Sequence, residues 1–363
     1  MKFPELAYID WAKSLPRVDV DLARSGVDFC PPSLLRLTKA DLVAALPGQY
    51  GYTPLREAIA ARYGAALDRV FPLSGGTSYA NWLACLAALD GCSRGTEVIV
   101  ERPTYEPLRK IPRALGYRVR RLDRRFEDGY AIDLDRFASI VTAKTRLAVV
   151  TNLHNPSGAR IPMATLRAMA AMLARVKAYL LIDEVYLECI FRDTPESCVH
   201  AGTNVIATNS LTKAYGLDGL RAGWILGPAP VVARAHRISD LMTNHGVAPG
   251  ERMALAAFRR HRDIDRRAHD ILDRNLARVR TFFAREPRLR AVLPDGGTVV
   301  FPRLPGAVDG DRLVRHLVTS ASTLVVPGRF FEAPRHIRLS FGCRPSLLAR
   351  GLTNISRALD DLS

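Results

Sequence analysis

From about residue 54 to residue 230, the apolar positions alternate between helical spacing and short, nearly continuous runs. "PLREAIAARYG" (54–64) and "TSYANWLACLAALDG" (77–91) carry apolar residues three and four apart and predict helices, the second ending at Gly91. "TEVIVER" (96–102) predicts a strand. A helix around "EPLRKIPRALG" and a short strand at "YRVRRL" (117–122) follow. "DLDRFASIVTA" (133–143) predicts a helix, "TRLAVVTN" (145–152) a strand, "PMATLRAMAAMLARVK" (162–177) a helix and "AYLLIDEV" (178–185) an apolar strand. Strands at 204–210 and 223–228 complete the series. Such alternation predicts an α/β fold: a large domain with a mainly parallel sheet between helices, whose ligands sit at the carboxyl ends of the strands.

Beyond residue 230 the pattern changes. Polar, amphipathic stretches predict long helices over 229–243 and 251–285. Strand signals then fall at 296–304, 322–328 and 336–342, and "SLLARGLTNISRALDDL" (346–362) predicts a closing helix. The expected organisation is an N-terminal segment (1–35) packing with the small domain, a large domain (36–250), and an interdomain helix with a smaller α/β C-terminal domain (251–363).

Composition narrows the function. The 363 residues are 48% hydrophobic and 24% charged, as in an ordinary globular protein. No apolar run is long enough to span a bilayer, and the first residues lack a signal-peptide pattern, so no membrane partner is expected. The six cysteines lie far apart without a C-x-x-C pair, which fits free thiols in a reducing, cytoplasmic setting and no metal site. The net charge of +16 raises the question of nucleic acid. However, the arginines of 258–280 are interleaved with aspartates, as on solvated helix faces, and no nucleic-acid-binding motif appears. No nucleic-acid partner is expected; an anionic small molecule in a basic site suits the charge better.

Only seven of the 52 basic residues are lysines, and one of them, Lys213, stands in "SLTKAYGLDGLRAGW" (210–224) among small residues. A lysine, unlike an arginine, can lose its proton and act as an amine nucleophile. Ser210 and Arg221 lie nearby in sequence, and a neighbouring permanent cation depresses a lysine pKa. Three other segments fall at predicted strand ends. "LSGGTSYANWL" places Gly76 ahead of Thr77 and Ser78 in the first turn of a helix, a pocket suited to phosphate. "NLHNPSG" places Asn155 before a proline, and "LLIDEVYLE" ends a buried strand with Asp183, Val185 and Tyr186. Taken singly, each has a plain structural reading: a glycine turn, an Asn-Pro turn, a helix cap, a surface lysine. Together they ask for one ligand with a phosphate, an aldehyde for the amine, and a ring nitrogen for the carboxylate. Pyridoxal 5'-phosphate meets all three demands.

The chain resembles the fold-type I, class I/II pyridoxal-phosphate-dependent aminotransferases over nearly its whole length. The likeness is carried by "GYTPLREAIAARYG", "GGTS", "ERPTYEP", "NLHNPSG", "DEVYLE", "SLTKAYGLDGLRAGW" and "IRLSFG", in order. The resemblance implies that Lys213 forms a Schiff base (aldimine) with the cofactor and shuttles the substrate proton. It implies that Asp183 pairs with the ring nitrogen and that Asn155 and Tyr186 bond the phenolate oxygen. Thr77, Ser78, Ser210 and Arg221 would hold the phosphate, with Gly76 permitting the close turn. Tyr105 would stack on one ring face and Val185 press on the other. Arg338 would clamp the substrate α-carboxylate, with Ser25 and Gly26 nearby. The implied activity is transfer of an amino group between an amino acid and a 2-oxo acid, in a homodimer.

Two departures stand out. The tyrosine that relatives present to the neighbouring subunit's phosphate is replaced by Leu46, leaving Tyr50 or Tyr52 as substitutes. The 241–251 loop, where relatives acting on acidic substrates often donate an arginine, carries His245. The same residues also serve a lyase, decarboxylase or cyclising synthase, which is the alternative reading. A third, a transcriptional regulator with a preceding winged helix, is disfavoured because the "LREAIAARYG" pattern begins so early.

Overall fold

The computed structural model describes residues 4–15, 17–45, 52–192, 196–306 and 308–362. Its strands, in chain order, are β1 (Val20–Asp21), β2 (Val70–Ser74), β3 (Glu97–Arg102), β4 (Arg118–Asp123), β5 (Thr145–Thr151), β6 (Tyr179–Asp183) and β7 (Val205–Ser210). Then come β8 (Ala222–Leu226), β9 (Val299–Val300), β10 (Thr323–Leu324), β11 (Val326–Pro327) and β12 (Ile337–Ser340). Seven form the main sheet in the order β2-β8-β7-β6-β5-β3-β4, where β8 runs against both its neighbours and the other pairings are parallel.

β5, β6 and β7 are buried almost throughout because helices cover both faces of the sheet. Their runs are therefore continuously apolar rather than alternating. On one face the helix Gly76–Leu89 packs Ala80, Leu83, Ala84 and Ala87 against Val98, Val149, Leu181 and Ile206. On the other, Leu166, Met169 and Leu173 of the helix Met163–Ala174 meet Ile99, Val150 and Ile182. Each of the buried Val, Leu, Ile and Met side chains contributes roughly 1.5–3 kcal/mol.

The predicted α/β architecture is present, with three differences. β2 was not anticipated because Pro72 interrupts its pattern; it lies at the sheet edge, where a missing N–H costs least. The polar helix expected over 251–285 is two, Ala248–Arg259 and His261–Arg285, broken at Arg260. The C-terminal strands are shorter than predicted, and β9, β11 and β12 form a three-stranded antiparallel sheet.

The N-terminal segment starts with a helix, Ala7–Ser14, which the sequence reading did not predict. Beyond it, β1 pairs in parallel with β10, and Leu22 bonds both Leu324 and Ser340 through its backbone. The segment next passes the Lys213 loop, where Val27 N–H donates to the Lys213 carbonyl at 2.8 Å. One stretch of chain thus joins the short strands to the carboxyl edge of the main sheet.

Candidate active site

The carboxyl ends of the main-sheet strands deliver the chemistry. β2 leads to Gly76, Thr77 and Ser78; β3 to Tyr105; β5 to Asn155; β6 ends on Asp183; β7 ends on Ser210 and leads to Lys213. A cleft of about 290 Å³ is lined by Thr77, Ser78, Tyr105, Asn155, Asp183, Val185, Tyr186, Lys213, Arg221, Arg338 and Ser25. Gly76, Ser210 and Gly26 lie behind this lining. A Cβ on Gly76 would fall 2.9 Å from Arg221 Nη2, Ser210 Oγ accepts from Thr77 at 2.7 Å, and Gly26 packs on the Thr212 and Lys213 backbone.

Lys213 shares the cleft with Asp183 and Asp218, and Asp218 opposes the fall in its pKa only in part. Burial pushes its amine down to about 8, and Arg338's charge adds to the effect. Asp183 is 94% shielded by the fold (6% exposed) and is pushed up to about 6 by burial, against hydrogen bonds from Asn81 Nδ2 at 2.8 Å and Val185 N at 3.0 Å. A buried carboxylate with these donors has room for a cationic partner, and a protonated ring nitrogen is one.

At the other end, Arg338 is buried on β12. Its Nη1 donates to Asn155 Oδ1 at 3.0 Å, and its Nη2 donates to Tyr8 Oη at 2.9 Å and the Ala23 carbonyl at 3.0 Å. Its Nε has no hydrogen-bond partner among the described residues. A buried guanidinium with an unmatched N–H suits a carboxylate ligand. Because Asn155 Oδ1 is engaged by Arg338, its Nδ2 is the group left to point at a ligand. Tyr186 donates to Ser25 Oγ at 2.7 Å.

Thr77, Ser210 and Thr212 form a hydroxyl chain, with Ser210 Oγ and Thr212 Oγ1 2.6 Å apart. Arg221 stands beside it in the left-handed region (φ 50°), its carbonyl accepting from the N–H groups of Gly75 and Gly76 and its Nη2 donating to the Gly75 carbonyl at 2.7 Å. Hydroxyls, a helix start and a guanidinium converge as a phosphate would require. Tyr105 and Val185 also line the cleft, so the residues present fit pyridoxal phosphate.

Two buried knots hold these groups. Glu101 accepts from the N–H and hydroxyl of Thr151 at 2.7 and 2.6 Å and from Arg124 at 2.8 Å, and Thr151 Oγ1 in turn accepts from Asn155 N–H at 2.9 Å. Glu188 accepts from Arg62 at 2.6 Å, from Asn209 at 3.0 Å, and from the hydroxyls of Tyr63 and Tyr215. Asn209 Oδ1 receives Ser210 N–H at 2.7 Å, and Tyr215 lies two residues past Lys213. The knot therefore anchors both sides of the lysine.

Sequence reasoning missed Tyr8, Asn81, Thr212 and Asp218. Thr212 and Asp218 lay inside a quoted motif, and Asn81 stood out as a polar residue on an otherwise apolar helix face; Tyr8 gave no signal. Leu46, Tyr50 and Gly51 lie outside the described residues. Tyr52 is described, with Arg252 over its ring at 5.4 Å. His245 lines a separate recess beside Ser74 and Glu251, not the Lys213 cleft.

An amine brought close to its titration point near physiological pH, sharing a cleft with a buried acid and an arginine that suits a carboxylate, belongs to an enzyme that borrows an aldehyde cofactor with a protonatable ring. Comparison with known proteins gives that class its name: residues 28–355 match the model of the family described as aminotransferase class I and II, and the chain belongs to this family. It is a pyridoxal-phosphate-dependent enzyme of aminotransferase type. It is 32% identical to capreomycidine synthase of Streptomyces vinaceus, over 96% of this chain and 92% of that one. It is 29% identical to the arginine–pyruvate transaminase AruH of Pseudomonas aeruginosa, over 86% and 82%. Among solved structures, one described as the pyridoxal-phosphate-dependent cyclase OrfR superposes with a TM-score of 0.88 at 29% identity, covering 100% of this chain and 99% of that one.

Proposed function

We propose that Lys213 is the residue that bonds the cofactor and moves the substrate proton, in a transamination between an amino acid and a 2-oxo acid. The observation that carries this reading is the depressed Lys213 amine, which shares one cleft with Asp183 and Arg338. The bound cofactor supplies an electron sink for the carbanion left when the substrate α-proton departs. The chain's own part is fourfold. Asp183 keeps the ring nitrogen protonated, and Asn155 Nδ2 with Tyr186 hold the phenolate edge. Thr77, Ser78, Ser210 and Arg221 grip the phosphate, while Tyr105 and Val185 confine the ring between them. Arg338, with Ser25 and Gly26 alongside, orients the α-carboxylate so that the α-proton faces the Lys213 amine.

The division into an N-terminal segment (1–35), a large domain (36–250) and a small domain (251–363) belongs to the same reading, as does a homodimer working in the cytoplasm. The dimer is supported by exposed apolar side chains at Leu42, Val43, Leu241, Met242 and Val247, Val43 and Val247 being tied by hydrogen bonds to Arg252 and Ser74. Surfaces of this kind mark contacts between protein chains.

The test is to follow ¹⁵N from a labelled amino acid into a 2-oxo acid acceptor, using the cofactor-loaded protein and Lys213→Ala. Label in the acceptor, absent with the variant, supports the reading. A second reading, a cyclising synthase, is favoured by the likeness to capreomycidine synthase and to the cyclase OrfR. It predicts a ring-closed product on the donor's own skeleton, with no label reaching the acceptor.

A further inference from the structure

We propose that the ion pair between Arg24 and Asp218 at the mouth of the cleft is a specificity device, and that Asp218 receives the cationic side chain of the substrate. The substrate class is an amino acid with a guanidinium or ammonium group on a chain about as long as that of arginine. This inference rests on the reading of the cleft as an amino-acid site anchored by Arg338.

Among the described residues, two carboxylates line the cleft, Asp183 and Asp218. Asp183 is taken up by Asn81 and the Val185 N–H and faces the cofactor. Asp218 holds Arg24, whose Nη2 lies 2.6 Å from its Oδ2. Both side chains are half open to solvent, at 45% and 40%. An ion pair so exposed adds little to stability, so a ligand displaces it at small cost.

The two partners are not equally free to move. Asp218 has a short side chain on the turn Asp218–Leu220, which runs directly into Arg221, and the Arg221 carbonyl is gripped by Gly75 and Gly76. Arg24 has a long side chain with many rotamers, and the guanidinium that meets Asp218 lies at the same time 3.8 Å from the Phe29 ring centroid, a contact it can keep on swinging away from the carboxylate. When a cation enters, Arg24 gives way and Asp218 stays.

Arg24 also measures the gap. The carbonyl just before it, Ala23, accepts from Arg338 Nη2 at 3.0 Å, while its own guanidinium reaches Asp218. The backbone beside Arg338 and the carboxylate of Asp218 are thus one arginine side chain apart. A free arginine with its α-carboxylate on Arg338 spans the same distance and offers Asp218 the group already bound there. A substrate with an acidic side chain would instead meet a fixed negative charge.

The experiment measures, by calorimetry on the cofactor-loaded protein, the affinities of 5-guanidinopentanoate and hexanoate. The first is arginine without its α-amine; the second lacks the cationic end, and neither can react. The ratio of the two affinities is read within each variant, so any general loosening of the cleft cancels. The wild type is expected to favour the guanidino acid by about three- to fivefold. Asp218→Asn is expected to bring the ratio close to one, and Arg24→Gln, which removes the competitor, to raise it. A ratio near one in the wild type, or one that survives Asp218→Asn, overturns the inference and leaves the transamination reading standing. Failure of both acids to bind overturns both readings.

Discussion

Asn81 Nδ2 donates to Asp183 Oδ2 at 2.8 Å while Asn81 Oδ1 accepts from the Thr208 hydroxyl at 2.6 Å, so that one amide links the Gly76–Leu89 helix, β7 and the acid at the end of β6. Both residues are buried. Thr208 fixes which way the amide points, and the amide then presents only N–H to the carboxylate. The bond opposes the rise in Asp183 pKa that burial imposes.

Replacing Asn81 by Ala removes that opposition, and the Asp183 pKa moves further up. A protonated Asp183 cannot hold a ring nitrogen as a cation, so the acidic limb of the pH–rate profile is expected to shift to higher pH. Activity at neutral pH should fall about 10- to 100-fold, the usual effect of losing a group that orients a key side chain. Asn81→Asp would place a second acid against the first and act more severely. An unshifted acidic limb in Asn81→Ala would remove Asn81 from this role.

Much of the site was legible because its residues follow strands whose apolar runs announce them. Asp183 ends one such run and Ser210 another, and Lys213 stood out in a chain that otherwise uses arginine. What escaped notice acts across large sequence separations: Asn81 is 102 residues from Asp183, and Tyr8 is 330 from Arg338. Tyr8 sits on an eight-residue helix with no buried side chain, which leaves no apolar stripe to read. The break at Arg260 was hidden for a different reason. Neither glycine nor proline marks it, and good helix formers continue on both sides.

Gly76 has φ +69°, and a Cβ there would fall 2.9 Å from Arg221 Nη2. Gly76→Ala therefore strains the backbone and pushes the guanidinium off the phosphate side of the cleft. The expected result is cofactor affinity weakened by about tenfold or more, with the far-ultraviolet spectrum of the fold retained. Equilibrium dialysis against pyridoxal phosphate measures it, and unchanged affinity would mean Arg221 does not serve the phosphate.

The Lys213 amine titrates near 8 instead of its ordinary 10.5, with burial as the leading cause. Cofactor capture needs the neutral amine. The rate of pyridoxal phosphate uptake by the cofactor-free protein should thus rise about tenfold per pH unit below 8 and level off above it. The linked stability has the same sign. The cost of burying the charged amine is fully present below about 8 and is relieved as pH climbs from there toward 10.5. Absorbance stopped-flow tests the rate, and continued tenfold growth from about pH 9 to pH 10 would show an ordinary lysine.

Glu188 accepts from Arg62, Asn209, Tyr63 and Tyr215 inside the protein, with side-chain exposures of 4% for the glutamate and 9% for the arginine. Glu188→Ala leaves a buried guanidinium whose one carboxylate neighbour among the described residues is Asp265, at 3.5 Å, with the Tyr215 hydroxyl at 2.8 Å, and removes the acceptor of both tyrosine hydroxyls. Loss of stability of about 3 kcal/mol is expected, read as a lower midpoint in urea at unchanged slope. Because Tyr215 belongs to the Lys213 loop, turnover should fall even where the variant remains folded.

The Arg338 guanidinium is oriented on three sides, by Asn155, Tyr8 and Ala23, and its Nε has no partner among the described residues; in the proposed function it clamps the substrate carboxylate. Lysine in its place keeps the charge but loses the planar fork. It can replace neither the Asn155 and Tyr8 contacts together nor a two-point grip on a carboxylate. Arg338→Lys is therefore expected to raise KM for amino acids by about 100-fold and to lower kcat less, since the lost contact binds the substrate before and during reaction alike. Amines without a carboxylate discriminate this role from a structural one: the variant should process them about as slowly as the wild type does. Equal losses for amino acids and simple amines would mean that Arg338 supports the fold of the cleft and does not clamp the carboxylate.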